Sequence, residues 1–391
     1  MARPDPLSAT SPVGCAGPAK PRITFALPSL LPVGGVERVQ MAMAGQFLAM
    51  GIAVDMVLAF EPEEVGGVVP DGVRVIKLNA PRLRQFVRPF AEYLHTAQPD
   101  SVLVPMWPFN VYGILAHKLA RSSARLVVSD HNTLSLQYAE WGALHRLAMR
   151  LSMGLFYPHA DARMTVSAGV ADDVSSLSGV RRDKFTVIHN PVPTPIKPPA
   201  PSDEAEAAWG GWKGRRIITV GRFKRQKNHA LLLRAFKSLL GTLDARLMIL
   251  GTGELEEETK ALVFQEGLAG RVVFGGQVTD PFPYYSSADL FVLSSDYEGF
   301  GNVLVEALSC GIPVVSTDCR SGPAEILDNG RHGILVPVGD VDAMAGAMTE
   351  ALNKDWNRQE LRRRSEDFAV ASVAHRWLGL LAPNLADCKI G

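Results

Sequence analysis

The stretch SSDYEGFGNVLVEALSCGIPVVSTDCRSGPAE, residues 294–325, predicts the turn, helix and strand around which the chain is organised. The apolar residues 290–293 before it predict a buried strand, and residues 297–301 predict a tight turn. A helix follows over residues 302–309, and a glycine and a proline end it before the next strand begins. This is one βαβ unit, the building block of a parallel sheet.

Two carboxylates flank this turn and its helix. Glu298 precedes the helix and Glu306 lies about one turn into it, while Gly299 and Gly301 leave the backbone bare enough for a ligand to approach. The helix N-terminus presents unpaired N–H groups and a partial positive charge, which favour polar or anionic ligand groups. An acid near such a turn suits sugar hydroxyls, although an ordinary glycine-rich βα turn explains the same residues.

The spacing of the two glutamates carries a family resemblance. Glu, seven residues and Glu, followed by CGIPVVST and GPAEIL, closely resembles the signature of retaining glycosyltransferase family four. The resemblance implies the GT-B fold, in which two Rossmann-like parallel-sheet domains face each other across a cleft and a C-terminal helix crosses back to the N-terminal domain. It assigns the donor sugar to Glu298 and the nucleotide ribose to Glu306. It also places these turn residues at the donor: Gly299, Phe300, Gly301 and Asn302.

Length and composition fit a two-domain globular protein. The chain has 391 residues, of which 47% are hydrophobic and 20% charged. Forty basic and 40 acidic residues cancel, so net charge gives no support for a nucleic-acid partner. The four cysteines form no CxxC pair, which favours reduced thiols in a cytoplasmic protein. We expect neither a membrane span nor an export signal, because no apolar run of about 18 residues occurs.

Composition along the chain predicts the domain boundaries. A disordered tail is expected over residues 1–20, which are rich in Pro, Ala and Ser. An N-terminal acceptor-binding domain then covers 21–192, together with a C-terminal helix within 372–391. The nucleotide-sugar-binding domain covers 193–371. The Pro-rich segment 191–214 reads as the linker between them.

The first half of the chain contributes a glycine turn and a histidine. Gly34 and Gly35 lie between the first predicted strand and a helix, where backbone amides can face a phosphate. No GxGxxG is present, so a nicotinamide cofactor is a poor hypothesis. The GGVER run looks like the family's glycine loop, opposite the donor pyrophosphate, and a structural turn is the alternative. His131 follows a predicted strand; it is either a packing residue or, by resemblance, a contact to the donor sugar or phosphate.

The second half contributes two cations. Arg222 follows a predicted strand and Lys227 precedes a helix, so one planar fork and one point charge suit a diphosphate. A solvated basic turn is the alternative, but the run VGRFKRQKN resembles the family's diphosphate site. By the same resemblance, backbone groups in two further βα turns read the nucleotide base and line the donor, at Gly251, Gln277 and Val278. Plain βα turns without a ligand are the alternative.

We predict that no metal is required. The one Asp-x-Asp sequence, Asp340 to Asp342, precedes a helical pattern, and an N-cap explains it more simply than a divalent ion does. No cofactor is expected, since the nucleotide-diphosphate sugar is the substrate.

Two basic and apolar stretches, residues 82–90 and 146–157, have the composition of segments that rest on anionic lipid. In the first, Arg82, Arg84 and Arg88 alternate with apolar residues, and we hypothesise that it meets a membrane. For the second we favour an ordinary helix that packs its apolar face inward. The resemblance supports a membrane partner, since the family includes many enzymes that dock on the cytoplasmic leaflet.

The function predicted from the resemblance is transfer of a hexose from a nucleotide sugar to a growing glycan, carried on a polyprenyl diphosphate. Catalytic roles fall to His131, Glu298, Arg222 and Lys227, and the leaving diphosphate accepts the proton of the acceptor hydroxyl. A nucleotide-sugar-binding protein without turnover and an epimerase of the same fold are the alternatives. The sequence leaves the choice between UDP and GDP open.

Overall fold

The computed structural model describes residues 20–30, 35–60 and 69–386, which form two parallel β-sheets with helices around them. The predicted tail therefore lies outside the described residues, except for Lys20. The first sheet has seven strands: β1 (Arg22–Leu27), β2 (Ala53–Leu58), β3 (Arg74–Lys77), β4 (Ser101–Pro105), β5 (Arg125–Asp130), β6 (Ala162–Thr165) and β7 (Thr186–Val187). Their order across the sheet is β3-β2-β1-β4-β5-β6-β7.

The second sheet has six strands and comes from the second half of the chain. They are β8 (Arg215–Val220), β9 (Ala245–Leu250), β10 (Val272–Gly276), β11 (Leu290–Leu293), β12 (Val314–Thr317) and β13 (Ile334–Val336). Their order is β10-β9-β8-β11-β12-β13, and neighbouring strands pair in parallel. In both sheets the order reverses beside the first strand, and ligands of open parallel sheets bind at such a switch point.

Helices connect the strands. Those of the first half are α1 (Gly35–Ala49), α2 (Val87–Ala97), α3 (Phe109–Ala120), α4 (Leu134–Gln137), α5 (Ala143–Phe156) and α6 (Ala168–Ser178). Those of the second half are α7 (Asp203–Ala208), α8 (His229–Leu239), α9 (Glu256–Gln265), α10 (Phe282–Ser286), α11 (Asn302–Ser309), α12 (Pro323–Ile326), α13 (Val341–Asn353) and α14 (Arg358–Glu366). Two more, α15 (Val370–Leu381) and α16 (Pro383–Ala386), follow.

Both faces of the first sheet are covered. Phe25 packs in one apolar cluster, and its neighbour Ala26, whose side chain points to the opposite face, packs in another. All five residues of β4 are buried, as expected for a strand with helices on both sides. Because parallel strands end at one edge, the loops after them meet there and are free to form a site.

The last long helix returns to the first sheet. Helix α15 packs against α1, β4 and β5, and the indole of Trp377 meets the ring of Phe25 edge-on with centroids 6.2 Å apart. Arg125 Nε also donates to the carbonyl of Leu380 at 2.7 Å. The chain therefore passes between its two halves twice, as the resemblance implied. The helix begins at Val370, two residues before the predicted start at residue 372.

The segment predicted as a linker is partly folded. Residues 191–201 contain no helix or strand, but α7 follows, capped by Ser202, whose hydroxyl accepts from the amide of Ala205. Trp209 after it is fully buried and donates its indole N–H to Ser287 Oγ at 2.8 Å. The second part of residues 191–214 was therefore wrongly assigned, because a buried tryptophan ties it to the second sheet. The domain boundary at residue 193 stays a prediction.

The two basic and apolar stretches, residues 82–90 and 146–157, differ from the prediction in which of their apolar side chains are exposed. In residues 82–90 the large apolar side chains Phe86 and Phe90 are buried in the core, so the arginines form most of the exposed surface. In residues 146–157 the prediction of an inward apolar face was wrong, since several leucines of α5 point into solvent. Within the described ranges, none of the helices has both the length and the apolarity to span a bilayer.

Candidate active site

The loops after β5 and β11 touch where the carboxyl edges of the two sheets face each other. Thr133, after β5, donates its hydroxyl to the carbonyl of Glu298 at 3.1 Å, and Ser167, the N-cap of α6, donates to the carbonyl of Gly299 at 2.7 Å. Asn190 donates from Nδ2 to Asn302 Oδ1 at 3.0 Å. The predicted turn 297–301 is therefore held by polar groups of the first half.

Glu298 is the centre of a hydrogen-bonded group. Its Oε1 accepts from Lys227 Nζ at 2.5 Å and from Ser295 Oγ at 2.6 Å. Its Oε2 accepts a longer bond, 3.4 Å, from Gln226 Nε2, which also donates to the carbonyl of Tyr297 at 2.8 Å. The carboxylate is 9% exposed, so these partners compensate for much of its lost hydration. The structure therefore brings Lys227 and Glu298 together, and their catalytic roles stay predictions.

Lys227 is positioned by the turn that ends β8. A short 3₁₀ turn over Arg225–Lys227 leads to Asn228, which has φ of 43° and accepts from the amide of Leu231 as the N-cap of α8. Ser294 donates its hydroxyl to the carbonyl of Lys227 at 2.8 Å. Backbone and side chain of this lysine are thus both fixed to the segment 294–298 that follows β11.

Arg222 lies on the same loop but is exposed to solvent. The loop is held from behind by Gly251, where a Cβ would lie 2.1 Å from the carbonyl oxygen of Gly221. Gly251 also has φ of 135°, which L side chains rarely adopt. Helix α9 begins only at Glu256, so the requirement for glycine at 251 comes from this close backbone packing. A donor-binding role for Gly251 stays a prediction.

Glu306 is buried inside α11 and has partners from both halves of the chain. Tyr285 donates its hydroxyl to Oε2 at 3.0 Å, and Arg38 of α1 lies 3.5 Å from Oε1. Burial raises the pKa of Glu306, and the charge of Arg38 opposes this shift. The ribose-binding role of Glu306 stays a prediction.

His131 follows β5 directly, at the position predicted for it. Its Nε2 lies 2.9 Å from Ser129 Oγ, and burial lowers the pKa of His131 to about 4, with Asn190 opposing the shift. The ring is therefore neutral at physiological pH. Two buried atoms here, Nδ1 of His131 and Oδ1 of Asn190, have no hydrogen-bond partner within the described part of the chain. Unpaired buried polar atoms are uncommon, and a bound ligand hydroxyl is one way to satisfy them.

Close backbone contact explains the glycines of the turn. A Cβ on Gly299 would lie 1.9 Å from the carbonyl oxygen of His131, so the two halves meet there backbone to backbone. Gly301 has φ of 102° and precedes the first residue of α11, Asn302. Phe300 is buried and stacks on the ring of His189, with centroids 5.2 Å apart. Phe300 thus packs at the junction of the two halves, and contact with the donor stays a prediction.

The remaining residues predicted to bind the nucleotide-sugar donor lie at the margins of the candidate site. Gln277 and Val278 follow β10; Gln277 is exposed and its Oε1 accepts from Thr252 Oγ1 at 3.4 Å. Gly34 falls outside the described residues. Gly35 is the first residue of α1, and a Cβ there would meet nothing within 4 Å, so packing does not require glycine. The ligand-binding roles of these four residues stay predictions.

Asp340 caps a helix, as its position in the sequence predicted. Its Oδ1 accepts from the amide of Ala343 at 2.9 Å at the start of α13. Asp342 lies in the first turn of the same helix, where a negative charge is favourable.

Several residues of this region escaped the sequence analysis. Arg38 is the last residue of the GGVER run and was not predicted as a site residue, although a cation beside a glycine turn can indicate a binding site. Ser295 gave no signal apart from its place after a strand. Glu325 of the GPAEIL run did carry a signal in the sequence, but its partners did not: it accepts from the amide of Ala168 at 2.9 Å and lies 2.8 Å from His189 Nε2, and only folding brings these three residues together.

Comparison with known proteins identifies the family. Residues 33–195 match the family model described as Glycosyltransferase Family 4, and residues 214–354 match Glycosyl transferases group 1. A Campylobacter jejuni protein, N-acetylgalactosamine-N,N'-diacetylbacillosaminyl-diphospho-undecaprenol 4-alpha-N-acetylgalactosaminyltransferase, is 31% identical over 261 residues, covering 66% of this chain and 69% of that protein. The chain belongs to the family-four glycosyltransferases. The family predicted from the glutamate spacing is thereby confirmed.

Further matches agree with this family-four assignment. Lipopolysaccharide 1,6-galactosyltransferase of Salmonella typhimurium is 26% identical over 292 residues, covering 73% of this chain and 74% of that protein. The structure of Anabaena HepE in complex with UDP and glucose has a TM-score of 0.73 at 20% identity, over 93% of this chain and 99% of that one. The structural match shows the fold, and the predicted GT-B architecture is confirmed.

Proposed function

We propose that this glycosyltransferase moves a hexose from a nucleotide-diphosphate sugar to a growing glycan carried on a polyprenyl diphosphate, with retention of configuration and without a metal. The transfer takes place at the cytoplasmic surface of a membrane. The observation that carries the proposal is the pairing of Lys227 with Glu298 in the contact region between the two sheets. Relatives named for an undecaprenol-linked acceptor and for lipopolysaccharide support the acceptor class, and the neighbour with UDP and glucose supports the donor class.

The cations Lys227 and Arg222 stabilise the negative charge of the leaving group. Lys227 has three N–H donors and gives one to Glu298, which leaves two for phosphate oxygens. Arg222, exposed on the same loop, adds a planar fork that suits a second phosphate. As the bond from the sugar C1 to the diphosphate oxygen breaks, negative charge grows on that oxygen. Preorganised cations stabilise it, with about 3 kcal/mol lost for each donor removed.

Glu298 is better suited to hold the sugar than to attack it. Its Oε1 already accepts two short hydrogen bonds, from Lys227 and Ser295, which lowers the nucleophilicity of that oxygen. Its Oε2 has only one long bond and keeps lone pairs for sugar hydroxyls. The acceptor hydroxyl then bonds to C1 on the face that the diphosphate leaves, and its proton passes to a diphosphate oxygen.

His131 and Asn190 supply neutral polar contacts. A neutral imidazole donates or accepts at Nδ1 according to its tautomer, and Asn190 Oδ1 accepts, so one sugar hydroxyl can satisfy both atoms. Such hydrogen bonds orient the hexose without adding a charge that would compete with the diphosphate.

A panel of UDP- and GDP-sugars tests the proposal. Slow release of nucleoside diphosphate, with water or a glycan as acceptor, identifies a transferase and its donor. Tight binding without release would identify a nucleotide-sugar-binding protein, and a changed sugar would identify an epimerase. The anomeric configuration of an isolated product, read by NMR, decides whether the configuration is retained.

Metal independence has a separate test. We expect full turnover in excess chelator, because Lys227 and Arg222 take the place of a divalent ion at the diphosphate. Loss of turnover in chelator, restored by Mg²⁺ or Mn²⁺, would contradict this part of the proposal.

A further inference from the structure

Helix α5 has an outward face of leucines. Leu144, Leu147, Leu151 and Leu155 are 81%, 51%, 63% and 63% exposed, respectively. Few other large apolar side chains in the described ranges are as exposed. Clustered exposure of this kind marks an interaction surface, whereas single exposed leucines are ordinary.

The helix is attached to the protein by its other side. Met149 and Met153 are buried and pack in the core of the first half, while Leu144, Leu151 and Leu155 recur at spacings of seven and four on the opposite side. The leucines therefore form a continuous stripe parallel to the surface of the protein. Such a helix can lie in a lipid interface without unfolding, because its anchoring face stays in place.

The charged residues on the helix itself have one sign. No Asp or Glu occurs from residue 141 to residue 160, whereas Arg146 and Arg150 are both exposed. Arg146 also donates to the carbonyls of Ala139 and Trp141, at 2.8 and 2.9 Å, which fixes the start of the helix. A stripe of leucines flanked by arginines and free of acids is complementary to an anionic lipid surface.

An aromatic cluster continues the stripe towards the contact region of the two halves. Trp141 is 40% exposed, and its ring centroid lies 4.3 Å from that of Tyr138 and 6.0 Å from that of Trp107. Amphipathic Trp and Tyr rings favour the boundary between lipid and water. Beside this cluster, Glu140 pairs with Arg225 of the second half at 2.5 Å, so the aromatic end of the helix is the end near the site.

We propose that the α5 face, defined as Leu144, Leu147, Leu151 and Leu155 with Arg150, docks on an anionic lipid bilayer. Trp141 then lies at the lipid boundary, and the contact region between the sheets opens close to the membrane. The docking role rests on the proposed function, in which the acceptor is attached to lipid. Residues 82–90 are a poorer surface for this purpose, because their large aromatic side chains are buried.

Vesicle flotation of the full chain tests this role without any donor or acceptor. We expect the wild type to float with vesicles that contain about one third phosphatidylglycerol, and to float much less with pure phosphatidylcholine. The double variant Leu147→Ser/Leu151→Ser should lower the bound fraction at least about tenfold, since two exposed apolar anchors are lost. Ile196→Ser/Phe264→Ser is the matched control, because both side chains are highly exposed elsewhere, and it should float like the wild type.

Three outcomes would overturn the docking role. In the first, the α5 double variant floats at the wild-type level. In the second, the control variant loses as much of the vesicle-bound fraction as the α5 double variant does. In the third, the wild type is a dimer in the absence of vesicles and the double variant is a monomer. The last would show that a second copy of the chain covers the stripe. Unchanged thermal unfolding of each variant excludes misfolding. Nucleotide release from a donor sugar is measured separately, so failure of the transferase proposal is distinguishable from failure of docking.

Discussion

At the scale of single residues, the contact between Lys227 and Glu298 organises the candidate site. Glu298 is nearly buried, and its carboxylate is tolerated there because an ammonium, a hydroxyl and an amide surround it. The same contacts fix the position of the lysine. In the proposed function, this one ion pair stabilises the turn and also supplies positive charge for the departing diphosphate.

Removal of the lysine should impair turnover more than folding. For Lys227→Ala we expect nucleotide release to fall about 100-fold or more, because one preorganised donor to the leaving group is lost. The control is Arg225→Ala in the same 3₁₀ turn, whose exposed pair with Glu140 is worth less than about 1 kcal/mol. Initial rates with the accepted donor and thermal unfolding check both variants. Equal rates for Lys227→Ala and the wild type would remove the lysine from the mechanism.

The titration of His131 gives a pH prediction. Because burial lowers the pKa of His131 to about 4, from 6.5 in the unfolded chain, only the unfolded state binds this proton between those values. The contribution of His131 to stability is therefore complete above about pH 6.5 and falls as the pH drops towards 4. Nitrogen chemical shifts of the imidazole should show a neutral ring at pH 5.5. A protonated ring at that pH would contradict the prediction.

The titration of Asp130, the neighbour of His131, changes the stability with pH in the opposite direction. Burial raises the pKa of Asp130 from 3.8 to about 7, so between these pH values the folded state binds a proton that the unfolded state does not. The contribution of Asp130 to stability therefore weakens as the pH rises through this range. The histidine effect is therefore isolated by comparing the wild type with His131→Gln, in which Asp130 is retained. We expect the variant to lose less stability than the wild type between pH 6.5 and 4.

At the scale of secondary-structure elements, the turn between β11 and α11 joins the two halves. Its glycine at 299 permits a backbone contact with the loop after β5, and hydroxyls of the first half bond to the carbonyls on either side. The position of this turn therefore depends on the distance between the two sheets. The turn also carries Glu298.

Gly299→Ala should separate these loops. The new methyl group would lie 1.9 Å from the carbonyl oxygen of His131, so the backbone must move. We expect at least about 100-fold slower nucleotide release, since a displacement of about 1 Å costs that much in an oriented site. Gly346→Ala in α13 is the control; a Cβ there meets nothing within 4 Å, and stability should rise by about 0.5–1 kcal/mol. Normal turnover of Gly299→Ala would argue against a tight contact in the active enzyme.

Asp340→Ala tests the helix cap at the start of α13. Loss of the bond to the amide of Ala343 should lower the free energy of unfolding by about 1 kcal/mol, measured by urea denaturation. Turnover should be unchanged, with or without divalent cations. A metal-dependent loss of turnover would instead assign the aspartate to a cation site.

Local patterns predicted the elements well and the contacts between distant elements poorly. The helix over Asn302–Ser309 was predicted with its observed bounds, because glycine turns and an apolar pattern limit it on both sides. The contact between Arg38 and Glu306 joins residues far apart in the sequence, and no local signal encodes it. The outward leucines of α5 were misread for the same reason, since periodicity defines an apolar face without saying whether a neighbour covers it.

At the scale of the whole molecule, the C-terminal helix is part of the first half. Val373, Trp377 and Leu378 are buried in the same apolar cluster as β1 and α1. Trp377 brings a large apolar surface, but its indole N–H has no partner among the described residues. Trp377 itself should therefore stabilise the first sheet through apolar packing alone, in addition to the hydrogen bond from Arg125 to the carbonyl of Leu380.

Two substitutions at Trp377 separate packing from hydrogen bonding. Trp377→Ala should destabilise the first half by about 3–5 kcal/mol, because a buried aromatic side chain is removed. Trp377→Phe should cost about 1 kcal/mol or less, since it keeps most of the apolar surface and removes an unpaired donor. Hydrogen exchange of β1 amides locates the effect. Equal protection in Trp377→Ala and the wild type would show that the helix is dispensable for that sheet.

The proline-rich segment before α7 has a consequence for proteolysis. Ile196 is fully exposed there, and the bond between Ile196 and Lys197 offers proteinase K a cleavage site in a stretch without helix or strand. The downstream fragment would still contain α15, which is embedded in the upstream one. A single nick after Ile196 should therefore produce two bands on a denaturing gel from material that elutes as one intact particle from a sizing column.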